Sequence, residues 1–277
     1  YDVIIPSDYM VARMGEEGLL MELDYSKIPN AENIDERYLH PAYDTEQKYS
    51  LPYMWGTTGI IYNTTMVDKA PTSWMDLFTT DLKGQVLIFD NPRDCIGLAL
   101  KALGYSFNTT NKDEIAEATD LLIKQKEDGI VQAYVMDQIF DKMINNEAAM
   151  GTYYAGDYLT MVEENPDLAF VQPEEGSNLF VDAMCIPTCS KNYEDALAFI
   201  NFMCRDDIVL RNCEETGYSC PSATALEEMD EEMAADPVAY PGADILDKAE
   251  TFGGLPEETL TFYDHEWIRI CLAKVKY

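Results

Sequence analysis

Short apolar runs alternate along this chain with longer stretches in which apolar residues recur every three or four positions. Val3–Ile5, Gly59–Tyr62, Val86–Phe89, Leu168–Val171 and Ala183–Ile186 read as strands, and the amphipathic stretches between them read as covering helices. Thr110 with Asp113 three residues later has the spacing of a capping box, and the helix it announces carries Ile115, Ala118 and Leu122 on one face. A second helix is expected after Asn192, burying Ala196, Ile200 and Met203. Residues 225–236 are acidic and rich in Met and Ala, the signature of an exposed helix, and Glu257–Lys276 reads as a closing helix. The pattern is that of α/β layers, with no internal repeat and no low-complexity linker.

The connections between these elements carry the candidate chemistry. Leu51–Asn63 runs from aromatics through small residues into an apolar strand, which reads as a hinge. Gly56 and Gly59 would permit the bend, with Tyr53 and Trp55 beside it as flat, partly polar surfaces for a ligand. Thr152–Asp157, where small residues let the backbone turn, is a second candidate ligand loop, and Asn178–Asp182 a third. The Gly217–Pro221 turn reads as a further crossing between lobes, and Trp74 as a buried residue at a helix start.

A chain of 277 residues is long enough for two domains. Its 51 acidic residues against 19 basic ones, a formal charge of −32, argue against nucleic acid or an anionic membrane surface and favour cationic partners. Most carboxylates in such a chain are solvated surface, so only those placed by a motif merit a functional reading. No apolar run approaches the roughly 18 to 20 residues of a membrane-spanning helix. The seven cysteines cannot all pair within the chain and lack the double spacing of a zinc site, so they read as small buried side chains. His40 and His265 stand far apart, and there is no nucleophile elbow, phosphate-binding glycine loop or His-Glu-x-x-His helix. No cofactor or metal is expected. Paired carboxylates of a glycan-active enzyme stay open as a remote reading.

Several ordered segments together resemble one family. They are Tyr1–Tyr9, Leu51–Asn63, Thr72–Leu77, Leu103–Ser106 with Asn108–Thr110, Val181–Pro187 and Glu215–Tyr218. The resemblance is to the extracytoplasmic solute-binding proteins of ABC transporters, in the spermidine/putrescine-binding branch. It implies a two-lobed α/β fold of the periplasmic-binding-protein type (type II), closing on a linear polyamine in an acidic, aromatic-lined interlobe cleft. Ser7 and Tyr9 match a ligand-contacting loop, Asp94 an acid for an amine, and Asp182 the best-placed carboxylate. Tyr154 and Phe180 stand where relatives use tryptophans, Tyr218 matches an aromatic near the third crossing, and Asp157 and Trp55 complete the ligand set. Asn91 stands where spermidine binders often carry a second acid. The lobes expected are residues 1–56 for lobe 1, 57–181 for lobe 2, 182–218 for the return to lobe 1, and 219–277 for C-terminal helices largely of lobe 2. The abrupt start at Tyr1 reads as a lobe whose first strand and helix precede the chain. The implied partners are a polyamine and the permease subunits of an importer, and the implied location is the periplasm or, through a lipid anchor, the outer face of the membrane. The same fold binding a sugar, a thiamine-like cation or a ferric complex is the alternative.

Overall fold

The structure, a computed structural model, describes residues 1–275, so Lys276, the expected end of the closing helix, lies outside the described residues. In chain order the elements are α1 (Asp8–Glu16), β1 (Ser50–Asn63), α2 (Asp76–Thr79), β2 (Val86–Phe89), α3 (Pro92–Ala102), α4 (Lys112–Glu127) and β3 (Val131–Val135). They continue with α5 (Gln138–Ile144), β4 (Met150–Tyr154), α6 (Ala155–Glu164), β5 (Leu168–Val171), β6 (Leu179–Cys185), α7 (Tyr193–Met203) and α8 (Asp206–Thr216). Four helices close the chain: α9 (Ala223–Glu228), α10 (Glu231–Ala234), α11 (Ala243–Leu246) and α12 (Glu257–Leu272). The mixed α/β class implied by the sequence is the one observed.

The chain forms two compact units. Tyr1–Gly56, Leu179–Pro241 and Thr251–Gly254 make the first, and Thr57–Asn178, Gly242–Glu250 and the chain from Leu255 make the second. In the first unit β6 pairs with β1, and the amino-terminal stretch joins it through single bridges, Ile4 to Cys185 and Ser7 to Asp182. Val3–Ile5 is therefore paired at one residue only. In the second unit the strand order is β3-β2-β4-β1-β5, with β2 parallel to β3 and β4 and β1 antiparallel to β4 and β5. Helices α3 and α4 cover this sheet with Ile96, Leu100, Ile115, Ala118 and Leu122, the last three as their periodicity predicts. Trp74 is fully buried there, its indole donating to the Gly176 carbonyl at 2.8 Å.

Several local expectations shift. The cap of α4 is Asn111, one residue after Thr110: its side chain accepts from the Asp113 amide and donates through Nδ2 to Glu114, while its backbone N–H donates to Thr109 Oγ1. Asn178–Asp182 is no loop but the entry to β6, and Thr152–Asp157 is the end of β4 running directly into α6. The acidic stretch after 225 breaks into α9 and α10 at Met229, whose backbone is extended, and Asp230 caps α10 by accepting from the Glu232 and Met233 amides; Ala225 and Met229 turn inward to pack with Met54, Val209, Cys213 and Cys220. That cluster, with the Trp55–Ser219 bridge, keeps the chain in the first unit as far as Pro241, so the Gly217–Pro221 turn is internal to that unit and the crossing falls at Gly242.

Within Leu51–Asn63 the passage from the first unit to the second falls between Gly56 and Thr57, as the expected lobe boundary has it, but the expected bend is absent. β1 is continuous through the stretch, and neither Gly56 nor Gly59 has a positive φ. These glycines serve close approach rather than bending. A Cβ on Gly59 would stand 2.4 Å from the Phe170 ring and 2.5 Å from the Val171 carbonyl oxygen, while one on Gly56 would meet Phe180 at 2.7 Å. Glycine inside a strand signals either a bend or a close neighbour, and sequence alone does not separate them. Because the Val171 contact is to backbone, Gly59→Ala is expected to cost ~1–3 kcal/mol by overpacking, read as a lower urea midpoint with an unchanged slope.

Candidate functional site

In the first unit the strand pleat places Phe180 and Asp182 on one face of β6, since alternate residues share a face. The Ser7–Asp182 bridge brings in the residue that opens α1, and Ser7 Oγ donates to Asp182 Oδ1 at 3.2 Å. The Asp182 carboxyl is half-buried; burial pushes its pKa up, and the Ser7 hydrogen bond offsets part of that rise. Phe180 stands edge to face with Tyr218, ring centroids 5.6 Å apart and planes at 70°. Burial likewise raises the hydroxyl of half-buried Tyr53, with the charge of Asp182 adding to it. Tyr9, also on α1, packs edge-on to Phe252 at 6.2 Å. Phe252 is an aromatic neighbour with no sequence signal, since Thr251–Gly254 joins the first unit only through the fold.

In the second unit Asp94 lies in the first turn of α3. Asn91 caps that helix, accepting from the Asp94 amide at 3.1 Å, and its own amide group donates to the Asp94 carboxylate. Pro92 supplies the preset φ of the first helical position. Asp94 is 5% exposed, and burial raises its carboxyl from 3.8 to about 6, against the lowering effects of Asn91, Arg93, Tyr154 and Asn178. Tyr154 Oη donates to Asp94 Oδ2 at 3.5 Å, and its ring leans on Phe89 at 5.3 Å and Tyr153 at 4.9 Å. Asp157 follows in the first turn of α6, half-buried, where its charge raises the Tyr153 hydroxyl, itself raised chiefly by burial. Tyr153 spends that hydroxyl on Asp137 at 3.0 Å. Asn91 and Asn178 are polar members of this cluster that the sequence reading noted by position without naming them as ligand residues. The Asn-Pro pair opening α3 was a readable cap signal for the first; the second opens the Asn178–Asp182 stretch read as a candidate ligand loop, but its meeting with Asp94 has no local signal.

Ser7, Phe180, Asp182 and Tyr218 thus assemble in the first unit, with Tyr9 on the helix that Ser7 opens. Asp94 and Tyr154 assemble in the second, with Asp157 on the adjoining helix. Trp55 joins neither. It is 2% exposed, its faces taken by Tyr38 at 5.3 Å and Tyr240 at 6.0 Å and its indole donating to the Cys220 carbonyl at 2.9 Å, so it is a core residue of the first unit. A cavity of about 400 Å³ beside Asp44, Tyr43 and Tyr49 contains none of the expected residues. Asp44 is occupied there, holding the amides of Lys48, Tyr49 and Ser50. Among the described residues no group of three His, Cys, Asp or Glu is placed to hold a metal.

A family model described as bacterial extracellular solute-binding protein matches residues 1–241. The spermidine/putrescine-binding periplasmic protein of Escherichia coli K12 is 35% identical over 251 residues, covering 90% of this chain and 72% of that protein. The spermidine/putrescine-binding periplasmic protein 1 of Haemophilus influenzae is 33% identical, covering 99% and 76%. Among solved structures, a putative spermidine/putrescine ABC transporter from Listeria monocytogenes superposes with a TM-score of 0.92 at 40% identity, covering 98% of this chain and 84% of that one. The substrate-binding protein PotD of Streptococcus pneumoniae gives 0.88 at 39%, covering 99% and 84%. These relatives are solute-binding proteins of transporters, not enzymes.

Asp94 yields a pH test whose sign follows from its raised pKa. Its protonated form is favoured in the fold, so its contribution to stability is complete below about pH 4 and is lost as pH rises through about 6. Asp94→Asn is expected to shrink the difference in urea midpoint between about pH 4 and about pH 7.5. An unchanged difference would show that Asp94 titrates as an exposed carboxyl does.

Proposed function

The chain belongs to the bacterial extracellular solute-binding protein family, and on that premise we propose that it captures a polyamine, putrescine or spermidine, for an ABC importer. One observation carries the reading. Each unit presents a carboxylate shielded from water and set among aromatic rings, Asp182 with Phe180 and Tyr218, and Asp94 with Tyr154 and Phe89. Neither acid forms an ion pair among the described residues. An ammonium group is the partner that such a carboxylate lacks, and a methylene chain is the partner that such rings accept. Desolvating an ammonium without a carboxylate is costly, whereas cation–π contacts add roughly 0.5 to 2 kcal/mol apiece.

In this reading Asp182, oriented by Ser7, takes one ammonium, and Asp94, oriented by Asn91, takes another. Phe180, Tyr218, Tyr154 and Tyr9 hold the methylenes, and Asp157 adds negative potential. The charge of −32 steers a polycation toward the protein at low salt. The protein works outside the cytoplasm, as its periplasmic relatives do, and passes its ligand to a membrane permease; ligand-dependent closure couples the two steps.

Calorimetric titration with putrescine and spermidine at low and moderate salt tests the substrate class. Tight, salt-weakened binding is the expected result, and binding of neither amine would overturn the proposal. Asp182→Asn should leave the fold intact and weaken binding at least tenfold, about 1.4 kcal/mol. Unchanged affinity would remove Asp182 from the site.

A further inference from the structure

Thr251–Gly254 is a short return of the chain to the first unit, between Gly242–Glu250 and Leu255 of the second. Within the first unit it lies along α1. Tyr9, Ala12 and Glu16 recur there at intervals of three and four residues and so share one face of the helix. Phe252 meets the first of them, ring centroids 6.2 Å apart and planes at 77°. Gly254 meets the other two, since a Cβ on it would stand 3.4 Å from the Ala12 Cβ and 3.3 Å from Glu16 Oε1. The missing side chain at Gly254 lets the backbone come down on the helix, and Phe252 is left 1% exposed.

Two different contacts then hold Tyr9. Its backbone is fixed by Ser7, whose carbonyl accepts the Met10 and Val11 amides at 2.9 and 3.0 Å and which is itself bridged to Asp182. A first turn held in this way still leaves a side chain its choice of staggered rotamers. An edge-to-face ring contact makes that choice, because it is directional as well as apolar. Tyr9 stays half-buried, with part of its ring open, whereas Phe252 is closed off from solvent. A buried ring against a partly open one is a support for it, not a second surface for a ligand.

We propose that Phe252 is a positioning residue for polyamine capture, holding the Tyr9 ring in the orientation that receives the methylene chain. The inference rests on the polyamine reading and adds to it a residue that touches no ligand atom. A ring oriented before the ligand arrives spares binding the entropy of ordering it. Affinity therefore depends on Phe252 only while Tyr9 is there to be held.

The test is calorimetric titration with putrescine and spermidine of the unsubstituted chain, Phe252→Leu, Tyr9→Ala and the double variant, with the urea midpoint of each measured alongside. Leucine keeps the position apolar and removes the ring; Phe252→Met does the same should the leucine variant not fold. Phe252→Leu is expected to weaken binding of both amines about three- to tenfold, the range of an aromatic pair contact. Added to Tyr9→Ala, it should weaken binding no further, although it lowers the urea midpoint in both backgrounds. Unchanged affinity in Phe252→Leu, or the same loss with and without Tyr9, would overturn the positioning role alone. Binding of neither amine by the unsubstituted chain would instead overturn the polyamine reading, and this inference with it.

Discussion

A carboxylate shielded from water needs an answering cation or a set of hydrogen-bond donors, and the arrangement of both units follows from that need. Asp94 is answered by the Asn91 amide, the Tyr154 hydroxyl and its place at the start of α3, Asp182 by the Ser7 hydroxyl. Donors of this kind hold the acid in position without neutralising it. Lys101 is one cation committed elsewhere, pairing with Glu250 at 2.5 Å and fastening the 242–250 segment into the second unit. Among the described residues the two acids have polar company and no ion pair, a poor arrangement for stability and a suitable one for capturing an ammonium.

The acids are placed by short-range geometry resting on a long strand. β1 carries the chain from the first unit to the second, paired with β6 and, from Thr58 onward, with β4 and β5. β6 in turn presents Phe180 and Asp182 on one face, and β4 ends on Tyr154. The glycines of β1 let Phe180 and Phe170 lie against the backbone, so the aromatic that flanks Asp182 owes its seat to a missing side chain on the neighbouring strand. The same strand takes Trp55 out of consideration as a ligand residue, since its indole is spent on the Cys220 carbonyl and on two tyrosine rings.

Much was written in the local pattern. Strands Val86–Phe89 and Leu168–Val171, the buried stripe Ile115, Ala118 and Leu122, and the class of the fold follow from hydrophobic periodicity, because periodicity reports which side of an element is dry. Ser7, Asp182, Phe180 and Tyr218 were legible as a set through the ordered segments that carry the family resemblance, and they stand together in the first unit. Neighbourhoods across the sequence were not legible. Asn178 beside Asp94, Phe252 beside Tyr9 and the inward turn of Ala225 and Met229 join residues far apart in the chain, and no period or motif encodes such a meeting.

By itself, then, the sequence determined the α/β layering and the strongly negative charge, since these depend on residue type and spacing, and through the family resemblance it nominated acids and rings as candidates. Tertiary structure decided what those residues face. It made Gly56 and Gly59 seats for rings instead of bends, buried Trp55 and gave Asp94 an asparagine for company. A glycine permits a bend and a close contact equally, and a tryptophan suits a core and a binding surface equally; only the arrival of a distant segment chooses between them.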